Sequence, residues 1–264
     1  MIGWLIYSAG DVEKNKYYIQ MYKDKFKEHF IEIKLVIVEE LENMEQYVKC
    51  NKVDFAINRS RNHIMGELLE QKGVRVFNSS SVTRIANNKG ITYEFLKDVV
   101  PFLAVKYGNE IIESKIENKG FEYPYVIKSC SGHGGSQVFL VNNSKEDEQA
   151  VKAMNGQEYV VQQCCSDLGR DVRVYIIGNK IIKAVLRTST ESFKSNYSLG
   201  GKVQEYTLNN EEKAMVERIV DKLPLDYAGI DFTFNNGKAV FNEIQECCIR
   251  CRILILWKCT LSIF

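Results

Sequence analysis

The chemistry in this chain begins at Lys128. It closes the segment Tyr123-Pro124-Tyr125-Val126-Ile127-Lys128, where Val and Ile favour a strand, and opens onto Ser129-Cys130-Ser131-Gly132-His133-Gly134-Gly135-Ser136. A cation fixed at a strand end, next to a glycine turn that brings backbone N–H groups close to a ligand, is what a polyphosphate requires. The plain alternative is a hairpin with a flexible glycine turn. Farther along, Asp171 and Arg173 alternate with Val172 and Val174, so both polar side chains share one strand face. As a functional pair the carboxylate suits ribose hydroxyls and the guanidinium suits phosphate or carboxylate. As an exposed surface pair they contribute little.

A second constellation lies in Tyr227–Phe234 and Ala239–Gln245, which flank Asn235-Asn236-Gly237-Lys238, a strong hairpin signal. If Asn236-Gly237-Lys238 is a three-residue turn closed by Asn235 and Ala239, Asp231 lies directly opposite Glu243. Like charges so opposed destabilise a sheet, and a hard divalent cation between them removes the conflict. Gln245 falls on the face of Glu243 and offers a third oxygen. Neutralising either carboxylate is then expected to leave the fold intact or stabilise it. Another turn register would put the two carboxylates on opposite, solvated faces.

These residues need a scaffold. Strands are expected at Gly3–Ser8, Ile33–Val38, Asp54–Asn58 and Val74–Phe77, with helices at Glu13–Phe30, Glu39–Val48 and His63–Gln71 between them. That alternation argues for parallel βαβ units. Ser8-Ala9-Gly10, Asn58-Arg59-Ser60 and Asn78-Ser79-Ser80 end these strands, where ligands bind in such sheets and where Ser and Asn also simply cap helices. One helix is expected from Ser81 to Leu96, carrying Lys89. Strands follow at Phe102–Tyr107, Tyr123–Lys128 and Gln137–Val141, then a helix capped by Ser144 and a strand at Tyr159–Cys165. Strands at Arg170–Tyr175 and Ile181–Arg187 and a helix at Glu211–Leu223 precede the hairpin.

Composition sets bounds. The chain has 264 residues, 45% of them hydrophobic and 26% charged, enough for a sizeable core. A net charge of +1 supplies no global field toward nucleic acid or an anionic membrane. The apolar start lacks a basic leading region, and no run is long enough to span a bilayer. Eight cysteines without a secretory signal read as reduced thiols of a cytoplasmic protein. The three histidines, at 29, 63 and 133, are scattered and receive no catalytic role.

The order of these features is specific. Lys89 precedes Lys128 and its glycine loop. Gln162-Gln163-Cys164-Cys165 precedes Gly169-Arg170-Asp171-Val172-Arg173, and Arg187 precedes Asn196 and Gly200-Gly201. Asp231 stands twelve residues before Glu243. The chain from about residue 75 to 246 resembles the ATP-grasp superfamily, nearest to carboxylate–amine ligases of the ribosomal-protein glutamate ligase, glutathione synthetase and D-alanine–D-alanine ligase type. The resemblance implies an ATP-grasp fold of the α/β (α+β) class. It implies an N-terminal parallel α/β domain (1–80), a small lid subdomain (81–160) and a mainly antiparallel C-terminal lobe with the metal hairpin (161–264). It also implies an ATP-dependent carboxylate–amine or carboxylate–thiol ligase that forms an acyl phosphate, with an amino acid or peptide as substrate.

The roles it implies are specific to residues. Lys89 and Lys128 grip the α- and β-phosphates, and the loop with Ser131, Gly132, Gly134, Gly135 and Ser136 closes over the β- and γ-phosphates. The backbone of Gln163, Cys164 and Cys165 reads adenine, and Asp171 holds the ribose. Arg173, Arg187 and Asn196 surround the transferring phosphoryl group. Asp231, Glu243 and Gln245 hold Mg²⁺ or Mn²⁺. The sequence departs from the family in two places: Gln245 stands where asparagine is usual, and Gln163 where the hinge often has an acid. Beyond Glu246 the tail is apolar and cysteine-rich, with no turn signal. The competing expectation is therefore a protein that binds ATP and Mg²⁺ but has an altered substrate site, with a tail that drives self-association. A zinc site from Cys247, Cys248, Cys251 and Cys259 is a further alternative, weakened by the adjacent pair.

Overall fold

In the computed structural model, which describes residues 1–108, 120–135, 137–189 and 202–246, three sheets follow one another along the chain. The first is parallel. It is built from β1 (Ile2–Tyr7), β2 (Glu32–Ile37), β3 (Phe55–Asn58) and β4 (Arg75–Phe77) in the order β2-β1-β3-β4. β1 is buried on both faces, as its unbroken apolar run requires of a parallel strand. The helices between the strands are α1 (Ala9–Lys27), α2 (Met44–Cys50) and α3 (His63–Gln71). α1 starts four residues before the expected Glu13, directly after Ser8. The expected helix over 39–48 is split. A 3₁₀ turn at Val38–Glu40 ends at Leu41, and Asn43 caps α2 by accepting from the Gln46 N–H.

A larger departure follows. The single helix expected over 81–96 is two, α4 (Ser80–Ala86) and α5 (Lys89–Leu96). Asn88 accepts from the Ile91 N–H and so caps a new helix, which puts Lys89 at its first position. The second sheet is antiparallel, in the order β5-β8-β6-β7, from β5 (Val105–Tyr107), β6 (Tyr125–Ser129), β7 (Val138–Val141) and β8 (Tyr159–Gln163). α6 (Ser144–Ala153) packs on it, capped by Asn143 rather than Ser144.

The third sheet, also antiparallel, runs β11-β10-β9-β12-β13: β9 (Arg170–Ile177), β10 (Lys180–Thr188), β11 (Lys202–Glu205), β12 (Tyr227–Asn235) and β13 (Lys238–Gln245). Its two faces differ. Val172, Val174, Ile176, Ile230 and Phe232 join Met215, Val216 and Ile219 of α7 (Asn210–Lys222), and Tyr93 and Leu96 of α5, in the largest core. On the other face, Tyr175, Ile177, Val185 and Tyr227 pack against Leu5, Tyr7, Ile19 and Phe26 of the first unit. Along that second face β9 changes from Ile177 and Tyr175 to Arg173 and Asp171, and the charged end lines a cavity. No helix among the described residues is long and apolar enough to cross a membrane.

Candidate functional site

The hairpin reaches the expected juxtaposition by a different route. The turn has two residues, Asn236 (φ 51°) and Gly237 (φ 74°), closed by Asn235 opposite Lys238. Positive φ at both positions is what a two-residue hairpin turn needs. A bulge between Asp231 and Phe232 then absorbs Asn242, so Asp231 still faces Glu243.

Asp231 is not the half of a bare carboxylate pair. It is 1% exposed, and both oxygens are taken by guanidiniums. Arg173 donates from Nε to Oδ1 at 2.7 Å and from Nη2 to Oδ2 at 2.5 Å, and Arg187 donates from Nη2 to Oδ2 at 2.9 Å. Arg187 also holds Asp171 with two bonds, at 2.5 and 2.7 Å. The register dictates this cluster: Arg173 lies opposite Asp231, and Asp171 opposite Arg187. Gly229 makes room for it, since a Cβ there would stand 3.3 Å from Arg173 Cδ. Burial pushes the Asp231 carboxyl up, but Arg173 and Arg187 outweigh it and hold it at about 2. Neutralising Asp231 would remove the buried carboxylate that Arg173 and Arg187 share, leaving Arg187 with Asp171 alone, which argues against the expectation that the fold is left intact or stabilised.

Lys128 is held differently. It is 8% exposed, and its Nζ donates to Gln162 Oε1 at 2.6 Å and Asn242 Oδ1 at 2.8 Å. Gln162 Nε2 in turn donates to the Tyr93 hydroxyl, which donates to the Asn242 carbonyl at 2.7 Å. A closed polar ring thus joins α5, β6, β8 and β13. Burial draws the Lys128 ammonium down to about 8, with Glu243 opposing and Lys89 adding to the shift. Lys89 Nζ donates to the Gly132 carbonyl at 2.6 Å and lies 3.9 Å from Glu243 Oε2. Its backbone N–H donates to the Cys130 carbonyl. The helix break at Asn88 is therefore what ties Lys89 to the glycine loop. Gly134 (φ 67°) and Gly135 (φ 77°) adopt left-handed conformations in that loop. Burial draws His133 down to about 4, helped by the Arg61 and Lys89 cations.

One cavity of about 890 Å³ collects most of the expected site: Lys89, Lys128, Gly132, Gly134, Gly135, Gln163, Cys165, Asp171, Arg173, Arg187, Asp231, Glu243 and Gln245 all line it. Ser131 is exposed and, like Cys164, does not line it. Ser136, Asn196 and the tail cysteines lie outside the described residues. Asp231, Glu243 and the Gln245 amide, which donates to Glu243 Oε1 at 3.2 Å, form an oxygen-rich donor set on one face of the hairpin. That set fits a hard divalent cation, with Gln245 supplying its carbonyl. Among the described residues no cluster of three or more His, Cys, Asp or Glu is placed to hold a metal ion.

Sequence reasoning missed Gln162, Tyr93 and Asn242, because their contacts join residues 34 to 149 positions apart. Arg59, which the sequence placed at a strand end where ligands bind, is buried, lies over the Tyr227 ring at 5.4 Å and lines the cavity. Glu246 was missed as well. It is 1% exposed and accepts from Thr83 Oγ1 at 2.7 Å, Asn87 Nδ2 at 2.5 Å and Asn78 Nδ2 at 3.3 Å. Burial raises its carboxyl, against those donors and Arg59. Asn78 also pairs with both backbone groups of Tyr227, at 2.9 and 3.0 Å. Together these bonds lock the end of β13 to α4 and to the end of β4. The only local signals were an Asn at a strand end and an acid after an apolar strand.

The pattern of the RimK-like ATP-grasp domain matches residues 80–248. The uncharacterized MG011 homolog of Mycoplasma pneumoniae is 30% identical over 246 residues, 92% of this chain and 82% of that protein. A probable alpha-L-glutamate ligase of Haemophilus ducreyi is 25% identical over 183 residues, 67% of this chain and 59% of that protein. The RimK domain ATP-grasp protein of Sphaerobacter thermophilus shares the fold, with a TM-score of 0.70 at 18% identity over 94% of this chain and 93% of that one.

Proposed function

The chain belongs to the RimK-like ATP-grasp family, and from that premise we propose that it is an ATP-dependent carboxylate–amine ligase working through an acyl phosphate. The observation that carries this reading is the single cavity in which two lysines under a glycine loop meet a carboxylate pair spanning β12 and β13. Lys89 and Lys128 take the α- and β-phosphates, and the Gly132–Gly135 loop covers the phosphates beyond. The backbone leaving β8 at Gln163–Cys165 reads adenine, with Leu103, Val126 and Leu168 among the apolar residues lining the same cavity. Asp171 receives the ribose. Arg173 and Arg187 neutralise charge on the transferring phosphoryl group. Mg²⁺ or Mn²⁺, held by Asp231, Glu243 and Gln245, supplies further neutralisation when bound.

A substrate carboxylate oxygen attacks the γ-phosphorus, and ADP leaves. An amine nitrogen then attacks the acyl carbon, phosphate leaves and the amine gives a proton to solvent. The protein contributes positioning and preorganised charge rather than a covalent nucleophile. The amino-acid substrate follows the name of the Haemophilus relative, a glutamate ligase. A second reading, ATP and Mg²⁺ binding with little turnover, is favoured by Gln245, whose longer side chain replaces the family's asparagine and turns its amide nitrogen to Glu243. A screen of amino acids and short peptides for stimulated ADP release decides between the two. The proposal expects release only when a carboxylate and an amine are both present. ADP release that no addition stimulates, with ATP bound, supports the second reading.

A further inference from the structure

We propose that Cys164 and Cys165 form a reversible thiol-modification site at the nucleotide cavity, where a low-molecular-weight disulfide is attacked by Cys165 and Cys164 then closes a vicinal disulfide that shuts the cavity to ATP. The inference rests on the reading that the chain leaving β8 contacts adenine. The pair sits directly after Gln163, the last residue of β8, where the chain leaves the small sheet for the five-stranded one. Both thiols are free and partly exposed. Cys165 lines the cavity, whereas Cys164 does not.

The surroundings favour thiolate at Cys165. The neighbouring Cys164 thiol, the Thr233 hydroxyl donating to the sulfur at 3.3 Å, and the Lys128 ammonium together outweigh burial and draw the Cys165 thiol down. Cys165, which faces the cavity and accepts from Thr233, is the attacking cysteine, and its chain neighbour Cys164 the resolving one. The Cys165 thiolate attacks one sulfur of the small disulfide and expels one thiolate. The Cys164 sulfur, losing its proton to solvent, then attacks the Cys165 sulfur and expels the second. The small disulfide is reduced to two thiols, and the cysteine pair is oxidised by two electrons.

Adjacent Cα atoms stand about 3.8 Å apart across a trans peptide. Unstrained disulfides prefer roughly 4.4–6.8 Å, so a vicinal bridge is strained and readily reduced, as a reversible switch must be. Forming it re-angles the peptide between the two residues, whose backbone the adenine would need. Losing the Thr233 contact also loosens Cys165 from β12.

The test treats the full chain with glutathione disulfide at pH 6.5 and maps every cysteine by peptide mass. The expected product is a 164–165 peptide lighter by two hydrogens, with two glutathiones released. Bound ATP should slow its formation by about tenfold or more, as occupancy of a shared site requires. The oxidised chain should bind ATP at least about tenfold more weakly, and dithiothreitol should restore the affinity. C164S should stop at a glutathione adduct on Cys165, and C165S should leave Cys164 unmodified. Modification confined to other cysteines or, in a chain that binds ATP, no protection by ATP or unchanged ATP affinity after bridging would overturn the proposal. The mass readout needs no nucleotide, so bridging in a chain that never binds ATP would count against the nucleotide reading, and an unbridged chain that binds ATP well would count against this one alone.

Discussion

Two charged regions face each other across the cavity, and they are built on opposite plans. At the sheet end, Asp171, Arg187, Asp231 and Arg173 form a chain of alternating charges in which each carboxylate already has its guanidinium. At the lid end, Lys128 is buried with only the neutral oxygens of Gln162 and Asn242. The first region is electrically closed and holds its geometry without a ligand. The second carries a cation whose burial Glu243 only partly offsets, which the depression of its pKa expresses. An anion arriving at Lys128 relieves a cost that the empty site bears. A cation arriving near Asp231 must share a carboxylate that is already engaged. In the proposed function, phosphate affinity is thus concentrated on the lysine side and positional rigidity on the sheet side.

The sharpest way to break this contrast is to neutralise one member of each region. Asp231→Asn should cost about 3–5 kcal/mol of folding stability, since it leaves Arg173 and Arg187 buried without their shared carboxylate. Urea unfolding measures it, and a neutral or stabilising result would mean the guanidiniums find other partners. Acid acts in the same direction. The Asp231 carboxyl is held low in the fold, so its contribution is present above its ordinary value near 3.8 and is lost as pH falls toward about 2.

Lys128→Met should change stability by less than Asp231→Asn does, because it also removes a desolvated charge. It should weaken ATP by about 1.5–3 kcal/mol, the usual contribution of a hydrogen bond to a charged group. Adenosine affinity should hardly move. Equal loss of both ligands in calorimetry would make Lys128 a structural residue.

A smaller effect sharpens the same point. The free Lys128 titrates near 8, and a bound polyphosphate favours its charged form. Between about pH 8 and its ordinary value near 10.5, ATP binding should therefore take up a proton. Affinity should fall by up to about 1.4 kcal/mol per pH unit over that window and stay flat from this source below it. Calorimetry in buffers of different ionisation enthalpy reads the proton directly. No uptake at pH 9 would place the anion elsewhere.

What was legible in the sequence follows the same division. Lys128, the glycine loop and the Asp171–Arg173 alternation are local patterns, and their residue types alone point to phosphate and sugar. The Asp231–Glu243 pairing was reached although the turn was misjudged. A turn shorter by one residue and a bulge at Asn242 cancel, and no spacing rule separates that combination from a three-residue turn. The break at Asn87-Asn88 was hidden because apolar periodicity continues across it, while a single cap residue decides the outcome. The closed ring around Lys128 and the clamp on Glu246 were illegible for a plainer reason. Tyr93 and Asn242 meet across 149 residues, as do Asn78 and Tyr227, and nothing in local periodicity reports such contacts. The sequence pattern thus shows which residues could act. It does not show that the arginines are already engaged while the lysine waits.

The central claim is that the cavity joins a carboxylate to an amine through phosphoryl transfer. The most direct test uses a substrate pair that stimulates ADP release, with the carboxylate labelled by oxygen-18. An acyl phosphate requires that each turnover move one labelled oxygen from the carboxylate into the released phosphate. Phosphate released at the same rate without label would contradict the account.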